Sequence, residues 1–331
     1  MATPGRLARA LAFFFVVVCL ATLFALMTGY QPIEWSDLRT DEIARTIFFR
    51  LRVPRVVLGL LVGGSLAGVG AALQALFRNP LAEPFTLGVS GGGALGASVA
   101  IALGFGANVA GVPLVFIFAF AGSIASVAIV YRLASAGTVV MPGTLLLAGV
   151  VLNLIAGAGV LMIQFVTDYT RALQILRWMV GSLDVIGMDL VWRMLIFLVP
   201  GMLLLLATTR DLHLIAVDEE SAAALGVNVR RVERIVYAAS SLVVGVTVAV
   251  AGPIGFVGLI VPHAVRRLFG EDLRIVIPCS ILLGAAFLVL ADSLARTILG
   301  ASELPVGAVT ALIGGPLFLI LLTRRRRYAA I

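Results

Sequence analysis

Long apolar runs alternate along the chain with short polar segments. Most runs hold about 20 residues, the length that a helix needs to cross about 30 Å of hydrocarbon. Charged residues, prolines and glycines at their borders separate ten predicted spans, near 8–28, 53–76, 86–105, 112–133, 143–166, 191–208, 235–252, 255–269, 275–298 and 306–323. The pattern predicts an all-α polytopic membrane protein with about ten transmembrane helices.

The polar segments are short, so a single transmembrane domain over residues 1–331 is expected, without a separate domain outside the membrane. Residues 170–184 are amphipathic and predict a short helix on the outer face. Residues 209–234 form the longest polar stretch. Within it, the acids that follow Asp218 predict a helix start, and Gly226 predicts the C-terminal cap of that helix.

The arginines predict the orientation of the chain. Fifteen of the 24 lie on the side of the two termini, and the RRRR run at 324–327 assigns that side to the cytoplasm. Both termini are therefore expected in the cytoplasm, with the chain in the inner (plasma) membrane. The first apolar run is long and lacks a clear cleavage site, which favours an uncleaved anchor. Five arginines within residues 39–55 oppose the trend and call for a functional explanation.

Composition narrows the function further. The chain is 61% hydrophobic and 12% charged, and it contains no lysine, so its net charge of +7 comes from arginine. A Walker A loop needs a lysine to reach the nucleotide phosphates. Any ATP-driven function must therefore use a separate ATPase. In a membrane protein, excess arginine indicates cytoplasmic loops and lipid headgroups rather than nucleic acid.

No residue pattern predicts an enzyme active site or a metal site. His213 and His263 are isolated in the sequence, and both cysteines lie in apolar surroundings, where inert packing is expected. The segment 91–96 satisfies G-x-G-x-x-G, but no strand precedes it, which favours close helix packing over dinucleotide binding. Asp292 and Arg296 lie one helical turn apart, so a local ion pair and the docking of a partner are both open.

Several long motifs together resemble one family. They are RLRVPR at 50–55, RNPLAEPFTLGVSGGGALGA at 78–97, RWMVGSL at 177–183, GPIGFVGLIVPHAVRRLFG at 252–270 and LADSLART at 290–297. In this order they resemble the permease subunits of type II ABC importers, which take up iron-siderophores, haem and cobalamin. The resemblance implies the permease fold of these importers, with ten spans in each subunit.

The resemblance also implies partners. Two permeases, either a homodimer or a pair with a similar paralogue, enclose the pathway. Two ABC ATPase subunits bind ATP and magnesium, so no cofactor is expected in this chain. A periplasmic or lipoprotein binding protein delivers the substrate. By motif match, the residues that dock this binding protein are Arg52, Arg55 and Arg296.

Two further sets of residues follow from the resemblance. Coupling to the ATPase is expected in the segment 209–234, through Glu219, Ala223, Leu225 and Gly226. A cytoplasmic gate is expected where the loop after the second span meets the loop before the fifth, at Asn79, Pro80, Leu81, Met141, Pro142, Gly143 and Thr144. The second of these loops reads MPGT and lacks the small hydroxyl pair of some relatives.

The expected substrate is an iron chelate, specifically an iron-siderophore, because such systems are the most numerous in the family. Haem and cobalamin are alternatives in the same machinery. An ion-coupled secondary transporter is the alternative from another class. It would be expected to bury ionisable residues in its spans, although backbone carbonyls also bind sodium. A purely structural scaffold is a further alternative, which the dense motifs disfavour.

Overall fold

The computed structural model describes residues 4–29, 36–105, 108–109, 111–136, 139–140, 142–299 and 303–328. Its helices are α1 (Pro4–Met27), α2 (Asp37–Thr40), α3 (Glu42–Ile47), α4 (Val53–Leu76), α5 (Val89–Ala102), α6 (Leu114–Ala134), α7 (Pro142–Val166), α8 (Tyr169–Val180), α9 (Asp189–Ala207), α10 (Thr209–Val217), α11 (Glu219–Ala224), α12 (Val229–Ala251), α13 (Val257–Phe269), α14 (Leu273–Thr297) and α15 (Val306–Tyr328).

Shorter elements join these helices. A π-helical turn at Phe48–Arg52 joins α3 to α4, and a 3-10 turn at Pro84–Leu87 precedes α5. Four two-residue strands form two antiparallel pairs, which the sequence did not predict: β1 (Asn108–Val109) with β2 (Val112–Pro113), and β3 (Ser135–Ala136) with β4 (Val139–Val140).

The predicted helical fold is confirmed, and each of the ten predicted spans contains a helix. In the described part of the chain, seven helical segments are long and apolar enough to cross a membrane. The exact count of about ten spans is not confirmed, because α5 and α13 have only 14 and 13 residues and the apolar part of α15, Val306–Ile320, is also short. The first two are shortened by backbone with positive φ, at Gly88 and Gly104 around α5 and at Phe256 and Gly270 around α13.

Glycines bring the central helices into backbone contact. A Cβ added at Gly63 of α4 would lie 2.3 Å from the carbonyl oxygen of Gly284 in α14. The G-x-G-x-x-G segment packs in the same way, since a Cβ at Gly96 would lie 2.1 Å from the carbonyl oxygen of Phe118 in α6. Helices without side chains at the contact approach closely. The packing interpretation of 91–96 is therefore confirmed.

The arginine-rich segment 39–52 is helical except at Asp41, and one helical segment runs from Glu42 to Leu76. The amphipathic segment 170–184 overlaps α8, which ends at Val180 and is followed by the cap residue Gly181 with φ 76°. The longest polar segment divides into α10, α11 and the first turns of α12. Asp218 and Asn228 produce this division, because each side chain caps the helix that follows it.

The two ends of the helix bundle carry different groups. The first, called the Arg55 end, brings together Gly29, Arg52, Arg55, Asp184, Arg296 and Glu303. The second, called the Arg78 end, brings together Gln74, Arg78, His213, Arg266 and Leu273. α4 joins the two ends, because its first turn lies at one and its last turn at the other.

Candidate functional site

The loop of residues 77–88, called the 77–88 loop, forms a compact turn after α4. Arg78 has φ 46°, and the amide of Asn79 donates to the carbonyl of Gln74 at 3.0 Å. The Asn79 side chain accepts from the amide of Leu81 at 3.0 Å. This local bond mimics a backbone turn. Three of the predicted gate residues, Asn79, Pro80 and Leu81, thus lie in one ordered turn.

The first link from the 77–88 loop runs to the predicted coupling segment. Arg78 Nη2 lies 3.2 Å from Glu219 Oε2 and donates to the carbonyl of Ile215 at 3.0 Å. Both side chains of the ion pair are about half exposed. The sequence assigned the loop and the coupling segment to separate roles, and the structure joins them.

A second link runs from the loop to the connection between α12 and α13. The Glu83 carboxylate accepts from the amide of Phe256 at 2.6 Å. Phe256 has φ 69°, which is uncommon for a residue with a bulky side chain. Burial raises the pKa of Glu83 above its ordinary value, and the Phe256 amide opposes this shift. Glu83 therefore stabilises a strained connection through one short hydrogen bond.

A third link runs to α7 and supplies a residue that the sequence analysis missed. Asn153 donates to the carbonyl of Phe85 and accepts from the amide of Gly91, both at 2.9 Å. Its signal in the sequence is a polar amide in the middle of an apolar run. Asn153 lies about two and a half helical turns after Thr144.

The second group of predicted gate residues begins α7. Met141 lies outside the described residues, whereas Pro142, Gly143 and Thr144 form the first turn of the helix. Gly143 and Thr144 are exposed. Gating by the two groups stays a prediction.

α11 is a short, capped and exposed helix in the predicted coupling segment. Asp218 Oδ2 accepts from the amide of Ser221 at 2.8 Å, and the bonds to Ser221 lower the pKa of Asp218. At the other end Gly226 has φ 88°, and the amide of Val227 donates to the carbonyl of Ala222. This is the Schellman arrangement of a helix C-terminus, so the predicted cap at Gly226 is confirmed.

The four predicted coupling residues lie together on the surface. Leu225 is 72% exposed, which is high for a large apolar side chain. Glu219, Ala223 and Gly226 are also exposed.

Arg55 lies at the centre of an ion network at the Arg55 end. Its Nη2 lies 2.9 Å from Asp292 Oδ1, and its Nη1 lies 2.9 Å from Asp184 and 2.6 Å from Glu303. Asp292 also pairs with Arg296 at 3.0 Å, so the local ion pair, one of the two alternatives that the sequence left open, is present. Asp292 is buried and shared by two guanidinium groups.

Arg52 and Arg296 are buried against the last turn of α1. Arg52 donates to the carbonyl of Leu26 at 3.2 Å, and Arg296 donates to the carbonyls of Ala25 and Thr28 at 3.4 Å. Guanidinium groups at a helix C-terminus satisfy carbonyls that have no partner within the helix. Both arginines line a cavity of about 380 Å³ together with Arg55. Docking by these three arginines stays a prediction.

The two histidines that are isolated in the sequence lie on one cavity at the Arg78 end. The described residues contain no cluster of three or more His, Cys, Asp and Glu side chains suited to a metal ion. Cys19 is exposed and Cys279 is buried, and neither forms a disulfide in the described part of the chain.

The sequence model of the FecCD transport family matches residues 15–324. The chain belongs to the FecCD transport family. It is 42% identical over 288 residues to the uncharacterised ABC transporter permease protein YvrB of Bacillus subtilis, covering 87% of this chain and 81% of that protein. It is 43% identical to the cobalamin import system permease protein BtuC of Halobacterium salinarum, over 91% and 79% of the two chains.

Another FecCD relative carries a different substrate in its name. The hemin transport system permease protein HmuU of Yersinia pestis is 36% identical, over 92% of this chain and 91% of that protein. Among solved structures, an inward-facing transporter assigned to the metal-chelate type of ABC transporter matches with a TM-score of 0.84. It is 30% identical over 96% of this chain and 99% of that chain. PsaBC from Streptococcus pneumoniae shares the fold, with a TM-score of 0.53 at 18% identity.

Proposed function

We propose that this FecCD-family chain is the membrane-spanning permease subunit of an ATP-driven importer that moves a metal chelate into the cytoplasm. The observation that carries the proposal is similarity along almost the whole chain to ABC permease proteins and to a metal-chelate type transporter. The chain would act as a multi-pass protein of the inner (plasma) membrane with both termini in the cytoplasm.

The composition of the chain and its helix α11 both support an ATPase partner. It has no lysine for a Walker A loop, so hydrolysis falls to other subunits. The exposed Leu225 and the capped α11 offer a rigid protrusion for a groove on each of two ATPase subunits. Closure of those subunits would then move α11, and the Arg78–Glu219 pair would transmit the motion to the 77–88 loop. A second permease copy or a similar paralogue completes the pathway.

A substrate-binding protein is proposed to dock at the Arg55 end. The cavity there is open to solvent and lined by Arg52, Arg55 and Arg296. Asp184 and Glu303 also line the cavity and pair with Arg55, so an acidic side chain of the binding protein that enters it would compete with these two carboxylates. Charge pairs of this kind raise the association rate and fix the orientation of the complex. Docking should therefore weaken as ionic strength rises.

The substrate is proposed to be a bulky metal chelate. Cobalamin and haem are the cargoes named for the relatives BtuC and HmuU, and the two are equally supported. The iron-siderophore expected from the sequence is a third candidate. Competition between the three chelates for uptake of one labelled chelate would rank them.

Uptake into proteoliposomes tests the proposal against the ion-coupled alternative. The full chain is reconstituted with its ATPase and binding protein, and labelled chelate is followed with ATP and without any ion gradient. We expect uptake that needs ATP and all the subunits. Uptake by the permease alone, driven by a proton or sodium gradient, would instead assign a secondary transporter.

A further inference from the structure

A basic cleft of about 490 Å³ lies at the Arg78 end, between the last turn of α4, α10, the end of α13 and the start of α14. Among the described residues that line it, three arginines and two histidines face one carboxylate: Arg78, Arg266, Arg267, His213, His263 and Glu271. Ligand sites in proteins commonly have volumes of about 300–1,000 Å³. The cleft is therefore large enough for a small anionic molecule or headgroup.

Arg266 is fixed in this cleft by a neutral partner. The buried amide of Gln74 donates to the carbonyls of Gly258 and Leu259, at 3.1 and 3.3 Å. Its oxygen then accepts from Arg266 Nη1. Because the amide nitrogen of Gln74 binds these two carbonyls, its oxygen is the atom that faces the guanidinium. This oxygen holds Arg266 in position.

The positive charge of Arg266 is offset only at longer range, by the carboxylate of Glu271 in the same cleft. In the described part of the chain, no carboxylate lies within 4.0 Å of this guanidinium, and Nε and Nη2 have no hydrogen-bond acceptor. Partly buried charges are normally paired, because desolvation of an unpaired charge is costly. An anion in the cleft would supply the missing acceptors.

Two neighbouring arginines add to the positive charge that Arg266 brings to the cleft. Arg267 is exposed beside Arg266, and Arg78 shares its charge with Glu219 at the rim. Guanidinium groups bind phosphate through two parallel hydrogen bonds, so each arginine that lines the cleft can hold a phosphate in this way.

We propose that the basic cleft binds the phosphate group of an anionic ligand, with Arg266 and Arg267 as the contacting side chains. The phosphate could belong to an anionic phospholipid headgroup or to a soluble phosphate. The proposal holds for the chain itself and does not depend on its transported substrate.

Binding to the purified full-length chain tests the cleft with two probes. Native mass spectrometry compares retention of phosphatidylglycerol with that of phosphatidylcholine. Thermal unfolding compares inorganic phosphate with chloride at equal ionic strength. The variants are Arg266→Gln and Arg267→Gln, and Arg132→Gln is the matched control, because Arg132 is an exposed arginine at the end of α6 and does not line the cleft.

We expect each cleft variant to weaken binding of the anion about tenfold, as for the loss of a charge-assisted hydrogen bond, and Arg132→Gln to leave it unchanged. Selective retention of phosphatidylglycerol supports a lipid headgroup, and selective stabilisation by phosphate supports a soluble ligand. The proposal is overturned if Arg267→Gln binds as well as the control, or if neither probe binds. Equal effects of phosphate and chloride without selective retention of phosphatidylglycerol would also overturn it. Arg267 is exposed, so its variant is informative even if Arg266→Gln does not fold.

Discussion

Arg78 and Glu219, 141 positions apart in the sequence, form an ion pair of 3.2 Å that joins the 77–88 loop to α11. An exposed pair of this kind adds only about 0–1 kcal/mol to the free energy of unfolding. The ion pair matters because of where it lies, since it connects the predicted gate to the predicted coupling helix.

Neutralising this pair should reduce coupling more than stability. We expect Arg78→Gln to lower the number of substrate molecules transported per ATP hydrolysed by about fivefold, the lower end of typical coupling energies. The measurement compares uptake with phosphate release in proteoliposomes that contain all subunits. Unfolding temperature should change little.

Two further variants make this prediction specific. Glu220→Gln removes an exposed acid from the same helical turn and should preserve coupling. The charge-swapped double variant, Arg78→Glu with Glu219→Arg, should recover part of the lost coupling. Equal loss in Glu220→Gln would mean that the overall charge of α11, rather than the pair, is responsible.

Gly226 offers a second test of the coupling helix. A Cβ at this position meets no atom within 4 Å, so any effect of a substitution arises from its φ of 88°. Gly226→Val should strain the cap by about 1–2 kcal/mol, and uptake should fall while ATP hydrolysis continues. Gly226→Asn should retain most uptake, since asparagine adopts this conformation more readily. Equal uptake in both variants would disprove a role for the cap.

Glu83 predicts a pH dependence of stability. Its pKa in the folded chain is raised above 4.5 by burial. The folded state therefore binds this proton more tightly than the unfolded state, and stability falls as the pH rises through the raised pKa. Below the ordinary pKa the full stability is present. Glu83→Gln keeps the acceptor for the Phe256 amide and should unfold at a higher temperature than the parent at pH 7, with the difference disappearing below pH 4.5.

Glu83→Ala is the contrasting variant, because it leaves the amide of Phe256 without its acceptor. It should lower the free energy of unfolding by about 1–3 kcal/mol. Thermal unfolding in detergent across this pH range measures all three proteins. If the glutamine variant were less stable than the parent at pH 7, the ionised carboxylate of Glu83 would stabilise the folded chain, and the prediction would be wrong.

Asp292 should contribute more to stability than the other acids at the Arg55 end. Its side chain is 2% exposed and pairs with two arginines, whereas Glu303 is 41% exposed and pairs with one. Removing one partner of a buried pair costs about 3–5 kcal/mol, so Asp292→Asn should lower the unfolding temperature strongly. Glu303→Gln should cost less than about 1 kcal/mol. Similar unfolding temperatures for the two variants would contradict the shared pairing.

The helices could be predicted from sequence because apolar runs, caps and turn residues act over short distances. The second span was predicted at 53–76, and α4 has the same bounds. The span at 255–269 also agrees with α13 to within two residues, whereas the span at 235–252 missed the first six residues of α12, most of which are charged. The positive φ of Phe256 before α13 is a feature that no local pattern identifies.

The site was predictable only where a motif marked it. The N-terminal cap and Gly226 at the ends of α11 follow from residue type, and both are confirmed. The bonds of Glu83 to Phe256 and of Asn153 to Phe85 join residues 173 and 68 positions apart. Such contacts depend on how the helices pack, so the sequence alone could not pair these residues.

The backbone contact between Gly63 and Gly284 has a mechanical consequence. Two helices that touch without intervening side chains have little freedom to slide, so we expect α4 and α14 to move as one rigid unit. With 24 residues, α4 is about 36 Å long. A displacement at the Arg55 end would therefore be expected to move α4 and α14 together, as a rigid body, toward the Arg78 end.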